Sequence, residues 1–173
     1  SGAYTYTKNA GAIEALDDGE NASDVFTVSV SDGIAAAVTR TYTVNVSGAD
    51  DAPTLAAVAA GSIAEVASSG STTDSGLAGT LAGADVDGET LSYGISGGTV
   101  AAGSASLAGS YGTLTVNTAT GAYSYVKSSA AVEALRAGQI ASDTFTVTVG
   151  DGDDALVTRS YTINLSGAND APA

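Results

Sequence analysis

The chain has 173 residues, a length that fits one large domain or two small ones, and a formal net charge of -14 at pH 7. This charge argues against binding to nucleic acid or to anionic lipid surfaces and favours cations as partners. Cysteine and histidine are absent, which excludes disulfides, thiolate or imidazole metal sites and a histidine general base. Any bound metal must therefore have oxygen ligands.

An internal repeat organises the chain. Residues 2–53 align with residues 121–172 at a constant offset of 119, without a gap and with about three positions in five identical. A period of this length is typical of whole domains in tandem. We therefore expect a piece of a longer array, in which residues 1–48 are the C-terminal part of one repeat, residues 49–168 a complete repeat and residues 169–173 the start of the next linker.

Alternating apolar and polar residues predict half-buried strands along the complete repeat. In chain order, the apolar stripes are Leu91, Tyr93 and Ile95; Leu114 and Val116; Tyr123 and Tyr125; Phe145, Val147 and Val149; and Tyr161, Ile163 and Leu165. Gly-rich and Asp-rich turns separate these stripes. Roughly seven short strands in about 115 residues predict an all-β, antiparallel sandwich.

One short helix is predicted in each repeat. In the complete repeat the segment SSAAVEALRAG offers Ser129 as an N-cap and Gly138 as a C-terminal stop. The matching segment of the first repeat is NAGAIEALDDG, in which Gly11 weakens the helix slightly.

Most acidic residues lie in predicted turns at strand ends, in short groups such as DDGE, ADVDGE and GDGDD. Carboxylates that approach one another repel unless a cation lies between them, and Ca²⁺ accepts six to eight oxygen ligands. Turns also supply backbone carbonyls. The pattern therefore favours calcium sites, although Asp in turns is often only a solvated residue.

Each repeat ends in a similar heptapeptide, SGADDAP and SGANDAP. These resemble a shortened form of the calcium-binding linker of cadherins, and DVD at residues 85–87 resembles the cadherin Asp-x-Asp ligand pair. The whole ordered set, with YGTLTVNTATGAYSYV, AVEAL and SDTFTVTVGDG, is similar to the VCBS repeat of very large bacterial RTX-type adhesins. That resemblance implies a cadherin-like, Ig-like Greek-key sandwich with Ca²⁺ as cofactor.

The resemblance also implies a set of metal ligands. The first junction would use linker and downstream acids, together with LDDGE of the preceding repeat, whereas the second junction has lost the acids of that element and is expected to bind weakly. Asp32 would serve a site completed upstream. The full set of candidate ligands is Asp18, Glu20, Asp32, Asp50, Asp51, Glu65, Asp85, Asp87, Asp151, Asn169 and Asp170.

The implied function is mechanical: calcium ties neighbouring repeats together and stiffens an extracellular, bacterial surface array involved in adhesion or biofilm formation. The expected partners are neighbouring repeats of the same chain, further copies of it, or a host or biofilm surface, without nucleic acid binding or membrane insertion. No residue set suggests an enzyme.

Two alternatives stay open at this point. One is a module that binds a glycan or a protein directly, which exposed aromatic residues on one face would favour. The other is self-association into a fibre through the incomplete first repeat, whose strand edges need either flanking sequence or a partner chain to cover them. An isopeptide crosslink between lysine and asparagine, promoted by a carboxylate, is a further possibility, since matched positions of the two repeats carry Lys8 and Lys127, Asn45 and Asn164, and Glu14 and Glu133. The alternative is a lysine that balances the charge of an acidic strand surface.

Overall fold

The structure is a computed structural model that describes residues 2–170, and it divides into two compact units. The first unit consists of the described residues up to Asp51 together with Val86–Gly88, and the second consists of the remaining described residues. Residues 171–173, which are predicted to belong to the next linker together with Asn169 and Asp170, lie outside the described residues.

The first unit contains a five-residue helix and one long β-hairpin. Helix α1 covers Ala10–Glu14, and strands β1 (Asn21–Val30) and β2 (Val38–Ser47) pair in antiparallel register from Asn21 opposite Ser47 to Val30 opposite Val38. Asn9 caps α1 by accepting a 3.4 Å hydrogen bond from the Ala12 amide. Almost every side chain of this hairpin is exposed.

The second unit is built from twelve strands and one helix, in the order β3 (Thr54–Leu55), β4 (Gly61–Glu65), β5 (Thr72–Ser75), β6 (Ala78–Thr80), β7 (Gly83–Ala84), β8 (Ser92–Ile95), β9 (Thr99–Ala101), β10 (Ser104–Ala108), β11 (Gly112–Asn117), β12 (Ala122–Lys127), α2 (Ser129–Glu133), β13 (Ile140–Gly150) and β14 (Val157–Ser166). One five-stranded sheet has the order β6-β12-β11-β10-β9, the other has the order β5-β4-β14-β13-β8, and β3 pairs with β7. All pairings are antiparallel except β14 with β4.

The core lies between the two five-stranded sheets. The alternating residues Leu114 and Val116 of β11, Val147 and Val149 of β13, and Ile163 of β14 are at most 1% exposed. A fully buried aliphatic side chain of this size stabilises the fold by about 2–3 kcal/mol through the removal of its surface from water. This arrangement confirms the predicted all-β sandwich.

The helices are shorter than the sequence patterns suggest. Helix α2 begins one residue earlier than its predicted cap allows, since Ser128 holds the N-cap position without a side-chain hydrogen bond and Ser129 is already helical. It ends at Glu133, well before Gly138, because the chain turns at Ala134 and the Leu135 amide bonds to the Val132 carbonyl at 2.9 Å. In the described chain, neither helix is long or apolar enough to cross a lipid bilayer.

Candidate metal sites

Among residues 2–170, carboxylates gather in three groups of three, with the candidate ligand atoms of each group within 4.8 Å of one another. The linker cluster consists of Asp17, Asp50 and Asp87, the turn cluster of Asp85, Glu89 and Asp151, and the C-terminal cluster of Glu65, Glu133 and Asp170. The linker cluster lies within the first unit and the other two lie within the second unit.

The linker cluster depends on a close approach of the linker to the turn after helix α1. The Gly48 amide donates a 2.9 Å hydrogen bond to the Glu20 carbonyl, and a Cβ at Gly48 would collide with the backbone carbonyls of Leu16 and Asp17. Glycine is thus required for Asp17 and Asp50 to approach each other. The Asp51 amide donates a 2.8 Å hydrogen bond to Asp87 Oδ2, which holds the third carboxylate.

The turn cluster is positioned by the turn that follows strand β13. Asp151 Oδ1 accepts 3.0 Å hydrogen bonds from the backbone amides of Asp153 and Asp154, which leaves Oδ2 buried and without a hydrogen-bond partner. The hydrogen bonds from Asp154 and then Asp153 lower the pKa of Asp151 below its ordinary value. Asp151 is therefore ionised at neutral pH, as a metal ligand must be.

The C-terminal cluster contains the most deeply buried carboxylate of the three groups. Glu65, at the end of strand β4, is only 8% exposed. Its Oε2 accepts a 2.7 Å hydrogen bond from the Ala168 amide, whereas its Oε1 is buried without a hydrogen-bond partner. Two unit charges on Glu65 and Glu133, at a separation of at most 4.8 Å, repel by at least about 3.5 kcal/mol if the effective dielectric constant is near 20.

Asp151 Oδ2 and Glu65 Oε1 are buried without a hydrogen-bond partner. These two oxygens test whether the turn cluster and the C-terminal cluster fit a metal ion. Buried carboxylate oxygens without a donor are costly, and a cation is the group that satisfies several converging carboxylates at once. All the charged donors are hard oxygen ligands, and linker and turn carbonyls lie in the same segments, which suits Ca²⁺ better than a soft transition metal. The turn and C-terminal clusters, which contain these two oxygens, therefore fit calcium.

The structure groups six of the ten carboxylates among the candidate ligands and leaves four apart. The grouped residues are Asp50, Asp87, Asp85, Asp151, Glu65 and Asp170, and the carboxylates outside the three clusters are Asp18, Glu20, Asp32 and Asp51. Asp51 contributes its backbone amide. Asn169 contributes its backbone carbonyl, which accepts a 3.0 Å hydrogen bond from the Ser68 amide.

Asp32 repeats the turn geometry of Asp151, its counterpart at the offset of 119. Its Oδ1 accepts hydrogen bonds from the Ile34 amide at 3.0 Å and the Ala35 amide at 3.1 Å. The hydrogen bond from Ala35, followed by that from Ile34, lowers the pKa of Asp32. Asp32 thus accepts the same pair of turn hydrogen bonds as Asp151, and the ligand role of both residues stays a prediction.

Three clustered residues, Asp17, Glu89 and Glu133, were absent from the predicted ligand set. Asp17 directly follows Leu16 and is the first acid of LDDGE, the segment predicted to contribute to the first junction, and this position could have identified it. Glu89 lies two residues beyond Asp87 in an acidic turn. Glu133 is the last residue of α2, and no sequence signal links it to Glu65.

The comparisons with known proteins agree with this architecture. The family model described as the bacterial cadherin-like domain matches residues 50–167, which is more than half of the chain. No curated protein matches the chain. The matched region includes Asp50, at its first residue, and all residues of the turn cluster.

Proposed function

The chain belongs to the bacterial cadherin-like domain family, and on that premise we propose that it is a calcium-stiffened structural extender of a bacterial cell-surface adhesin, which spaces or displays adhesive domains. The observation that supports this proposal best is the buried Glu65 Oε1 without a hydrogen-bond partner, inside a group of three carboxylates. A solvated acidic turn has no reason to bury such an atom.

The carboxylates of each cluster would act as like charges that require neutralisation. Without a cation, each cluster holds like charges close together, and the local backbone must spread to relieve the repulsion. Bound Ca²⁺ supplies two positive charges and six to eight coordination positions that draw these oxygens together. The linker between residues 48 and 55 then loses conformational freedom.

The tripeptide Asp85-Val86-Asp87 supports a mechanical role for this neutralisation. Asp85 belongs to the turn cluster and Asp87 belongs to the linker cluster, with one residue between them in the sequence. Coordination of both clusters would therefore fix both ends of the same short segment. We propose that this makes the two clusters act together at the junction between repeats, with residues 1–48 and 49–168 as the successive repeats and residues 169–173 as the next linker.

The C-terminal cluster modifies the expectation that the second junction binds calcium weakly. That expectation follows from the loss of acids in LRAGQ, which replaces LDDGE of the first repeat. Glu133 lies with Glu65 and Asp170 and supplies a carboxylate from the helix instead. We therefore propose that the second junction also binds calcium, through a different ligand set.

The location that suits this mechanism is the bacterial surface or the extracellular medium. Extracellular calcium modules work at about 10⁻⁴ to 10⁻³ M, so an array of this type would be stiff outside the cell and flexible in the cytosol. The similarity to VCBS repeats of RTX-type adhesins supports the same location. The partners would be neighbouring repeats, and family members of this kind are structural modules without catalysis.

Direct glycan binding receives less support than the extender role. The first unit does expose Tyr4, Tyr6, Phe26 and Tyr42, which is the pattern expected of an aromatic binding face. The counterparts at the offset of 119 are core residues or pack against the core, including Phe145 at 3% and Tyr161 at 1% exposure. The exposed aromatic side chains of the first unit therefore occupy positions that belong to the core, or pack against it, in the complete repeat.

Thermal unfolding in millimolar calcium and in excess chelator tests the proposal. A site with a dissociation constant between 10⁻⁴ and 10⁻³ M, at ten to a hundred times that concentration of calcium, adds about 1.4–2.7 kcal/mol to the free energy of unfolding. We expect the melting temperature to rise with calcium and to fall again on chelation, with a smaller response to magnesium. Equal melting temperatures in calcium and in chelator would remove the basis of the proposal.

A further inference from the structure

The chain enters the second unit at one end of the sheet that contains β4 and β14 and leaves it at the other end. Strand β3 begins at Thr54 and pairs with β7, which ends one residue before Asp85 of the turn cluster. Strand β14 runs from Val157, beside the same turn, to Ser166, and the chain then continues to the C-terminal cluster. Ten residues of strand span about 33 Å. Tension between the two linkers therefore acts along the strands.

Strands β4 and β14 lie side by side and run in the same direction. Their register extends from Gly61 opposite Ile163 to Ala64 opposite Ser166. The entry linker leads to the beginning of β4 and the exit linker follows the end of β14, so tension pulls the two strands in opposite directions along a common axis. The hydrogen bonds of a parallel pair are evenly spaced. They therefore share the load, and no single bond receives all of it.

The β4–β14 ladder is the shorter of the two ladders that hold β14 in its sheet. Strand β14 pairs with β13 over ten register positions, from Ile140 opposite Ser166 to Val149 opposite Val157, but with β4 over only four. A strand held over ten positions stays in place when the four-position ladder is strained. The resistance of the unit to tension between its linkers is therefore set by β4 and β14.

The core side chains of the pair oppose sliding of one strand along the other. Ile63 of β4 and Ile163 and Leu165 of β14 are at most 1% exposed. A slip of β4 by one residue would turn Ile63 away from the core, because successive side chains of a strand point to opposite faces. Sliding thus requires a closely packed core to open at the same moment as the ladder breaks.

Two further contacts continue the pairing beyond the last ladder position, at the exit end. Glu65 Oε2, at the end of β4, accepts a 2.7 Å hydrogen bond from the Ala168 amide. The Ser68 amide donates a 3.0 Å hydrogen bond to the Asn169 carbonyl. The segment that follows β14 is therefore bonded to the segment that follows β4. These contacts are the first to receive tension from the exit linker.

The backbone of Ser68 has an unfavourable conformation at this contact. Its φ angle is +55°, in the left-handed region that residues with a Cβ seldom adopt. Such conformations persist where the surrounding structure requires them, and they are concentrated at functional sites. The residue with this conformation is the one whose amide binds the exit linker, which is an independent sign that the contact has a role.

The entry end of the ladder is closely packed as well. The Tyr161 hydroxyl of β14 donates a 2.7 Å hydrogen bond to the Gly76 carbonyl. A Cβ at Gly61 would lie 3.0 Å from both the Gly76 carbonyl oxygen and the Tyr161 hydroxyl oxygen. The absence of a side chain at Gly61 therefore lets β4 begin in direct contact with this bonded pair.

We propose that the β4–β14 pair, together with the contacts of Glu65 and Ser68, is the element that resists tension in the repeat, and that it does so without a metal. The inference rests on the proposed role as an extender, because a module within an array is pulled through both of its linkers. It adds a function that calcium does not supply. The metal would restrict the linker, whereas the β4–β14 ladder keeps the repeat folded under load.

Constant-force stretching of the full chain in a chelator-containing buffer tests the proposal. The chain has no cysteine, so two introduced cysteines define where the handles attach. Ala52→Cys with Ala173→Cys pulls β4 and β14 along their axis. Ala52→Cys with Ala155→Cys, in the turn before β14, pulls the beginnings of both strands apart, so that the ladder opens one bond at a time. At equal force, we expect the second unit to stay folded at least about tenfold longer in the first geometry.

Three results of this experiment would overturn the proposal. One is an equal lifetime in the two geometries. The others are a longer lifetime that appears only after calcium is added and the absence of an unfolding event in chelator, since the resistance would then require a metal. Equal melting temperatures in calcium and chelator would instead contradict the calcium-dependent function and leave this measurement unaffected. Failure of the two proposals is therefore distinguishable.

Variants of Ser68 test the contact at the exit end. Ser68→Pro removes the amide that binds Asn169, whereas the control Ser68→Gly keeps the amide and permits a positive φ. In the first geometry, Ser68→Pro should shorten the folded lifetime about fivefold through the loss of one hydrogen bond, and Ser68→Gly should be at least as long-lived as the unmodified chain. In the second geometry, the two variants should have equal lifetimes. A Ser68→Pro effect of equal size in both geometries would indicate a general loss of stability and contradict the role of this contact.

Discussion

The backbone amide of Asp51 donates a 2.8 Å hydrogen bond to the carboxylate of Asp87. This bond joins the acidic linker to the Asp85-Val86-Asp87 tripeptide, 36 residues further along the chain. It also explains how Asp87 approaches Asp17 and Asp50, since one of its oxygens is fixed by the linker itself. The linker therefore contributes to the cluster through a backbone donor as well as through a carboxylate.

Replacement of Asp87 by asparagine should weaken calcium binding with little change in the fold. The asparagine oxygen can still accept the bond from Asp51, but the linker cluster loses one of its three negative charges. We expect the affinity of this site to fall by about tenfold, equivalent to about 1.4 kcal/mol, in isothermal titration calorimetry. Asp153→Asn, an exposed change outside the three clusters, is the control, and equal affinities for the two variants would contradict the role of Asp87.

Replacement of Glu65 by glutamine should raise stability in chelator and reduce the stabilisation that calcium adds. In chelator, the variant removes a buried negative charge and can keep the bond from Ala168, so the free energy of unfolding should rise by about 1–2 kcal/mol. In calcium, the variant loses a ligand and should gain less stability from the metal than the unmodified chain does. Denaturation in both buffers measures the difference, with the exposed Glu14→Gln as control; a fall in stability of equal size in both would indicate a purely structural role.

Replacement of Asp143 by asparagine should lower the stability of the second unit. The same replacement at its counterpart Asp24 should have little effect on stability. Asp143 is 5% exposed and accepts bonds from two amides and one hydroxyl, so Asp143→Asn should lower the free energy of unfolding by about 2–4 kcal/mol. Asp24→Asn is the matched control, because the loop that supplies the two amides is absent from the first unit. Urea denaturation of both variants measures the effects, and similar losses would contradict this account of the anchor.

Tyr161 should make the second unit sensitive to alkaline pH. Burial, with a smaller contribution from Tyr123, raises its pKa to about 12 from the ordinary value of 10.0. The neutral phenol is therefore favoured in the folded state, and its contribution to stability is complete below pH 10 and is lost as the pH rises towards 12. Unfolding curves between these pH values should show this loss in the unmodified chain and a weaker dependence in Tyr161→Phe, whereas Tyr42→Phe, at the exposed counterpart, should behave like the unmodified chain.

The strands could be predicted because the alternation of apolar and polar residues identifies the apolar face of each strand. Phe145, Val147 and Val149 and the stripe at Tyr161, Ile163 and Leu165 lie in the core as their spacing indicates. The same spacing at Phe26, Val28 and Val30 predicts an inward face equally well, yet these side chains are exposed. A periodic pattern identifies which face is apolar, but whether another part of the chain covers it is a tertiary property.

The members of the three carboxylate clusters were harder to predict because turns direct side chains in ways that spacing does not reveal. Asp17 lies in the linker cluster and the adjacent Asp18 does not, and the difference arises in a tight turn where Asp17 Oδ1 accepts the Asp18 amide at 2.5 Å. Glu133 meets Glu65 only because α2 ends after five residues beside the end of β4. The sequence predicts an acidic junction, and the folded turns determine which acids meet.

Small-angle X-ray scattering with and without calcium tests the central claim most directly. Carboxylates that converge on a shared cation should restrict the linker, so millimolar calcium should give a narrower distribution of interatomic distances with a larger maximum dimension than excess chelator does. The Asp87→Asn variant should show a weaker response at the same calcium concentration. Superimposable curves in calcium and chelator, obtained on a monomeric sample, would contradict calcium-dependent stiffening of the junction.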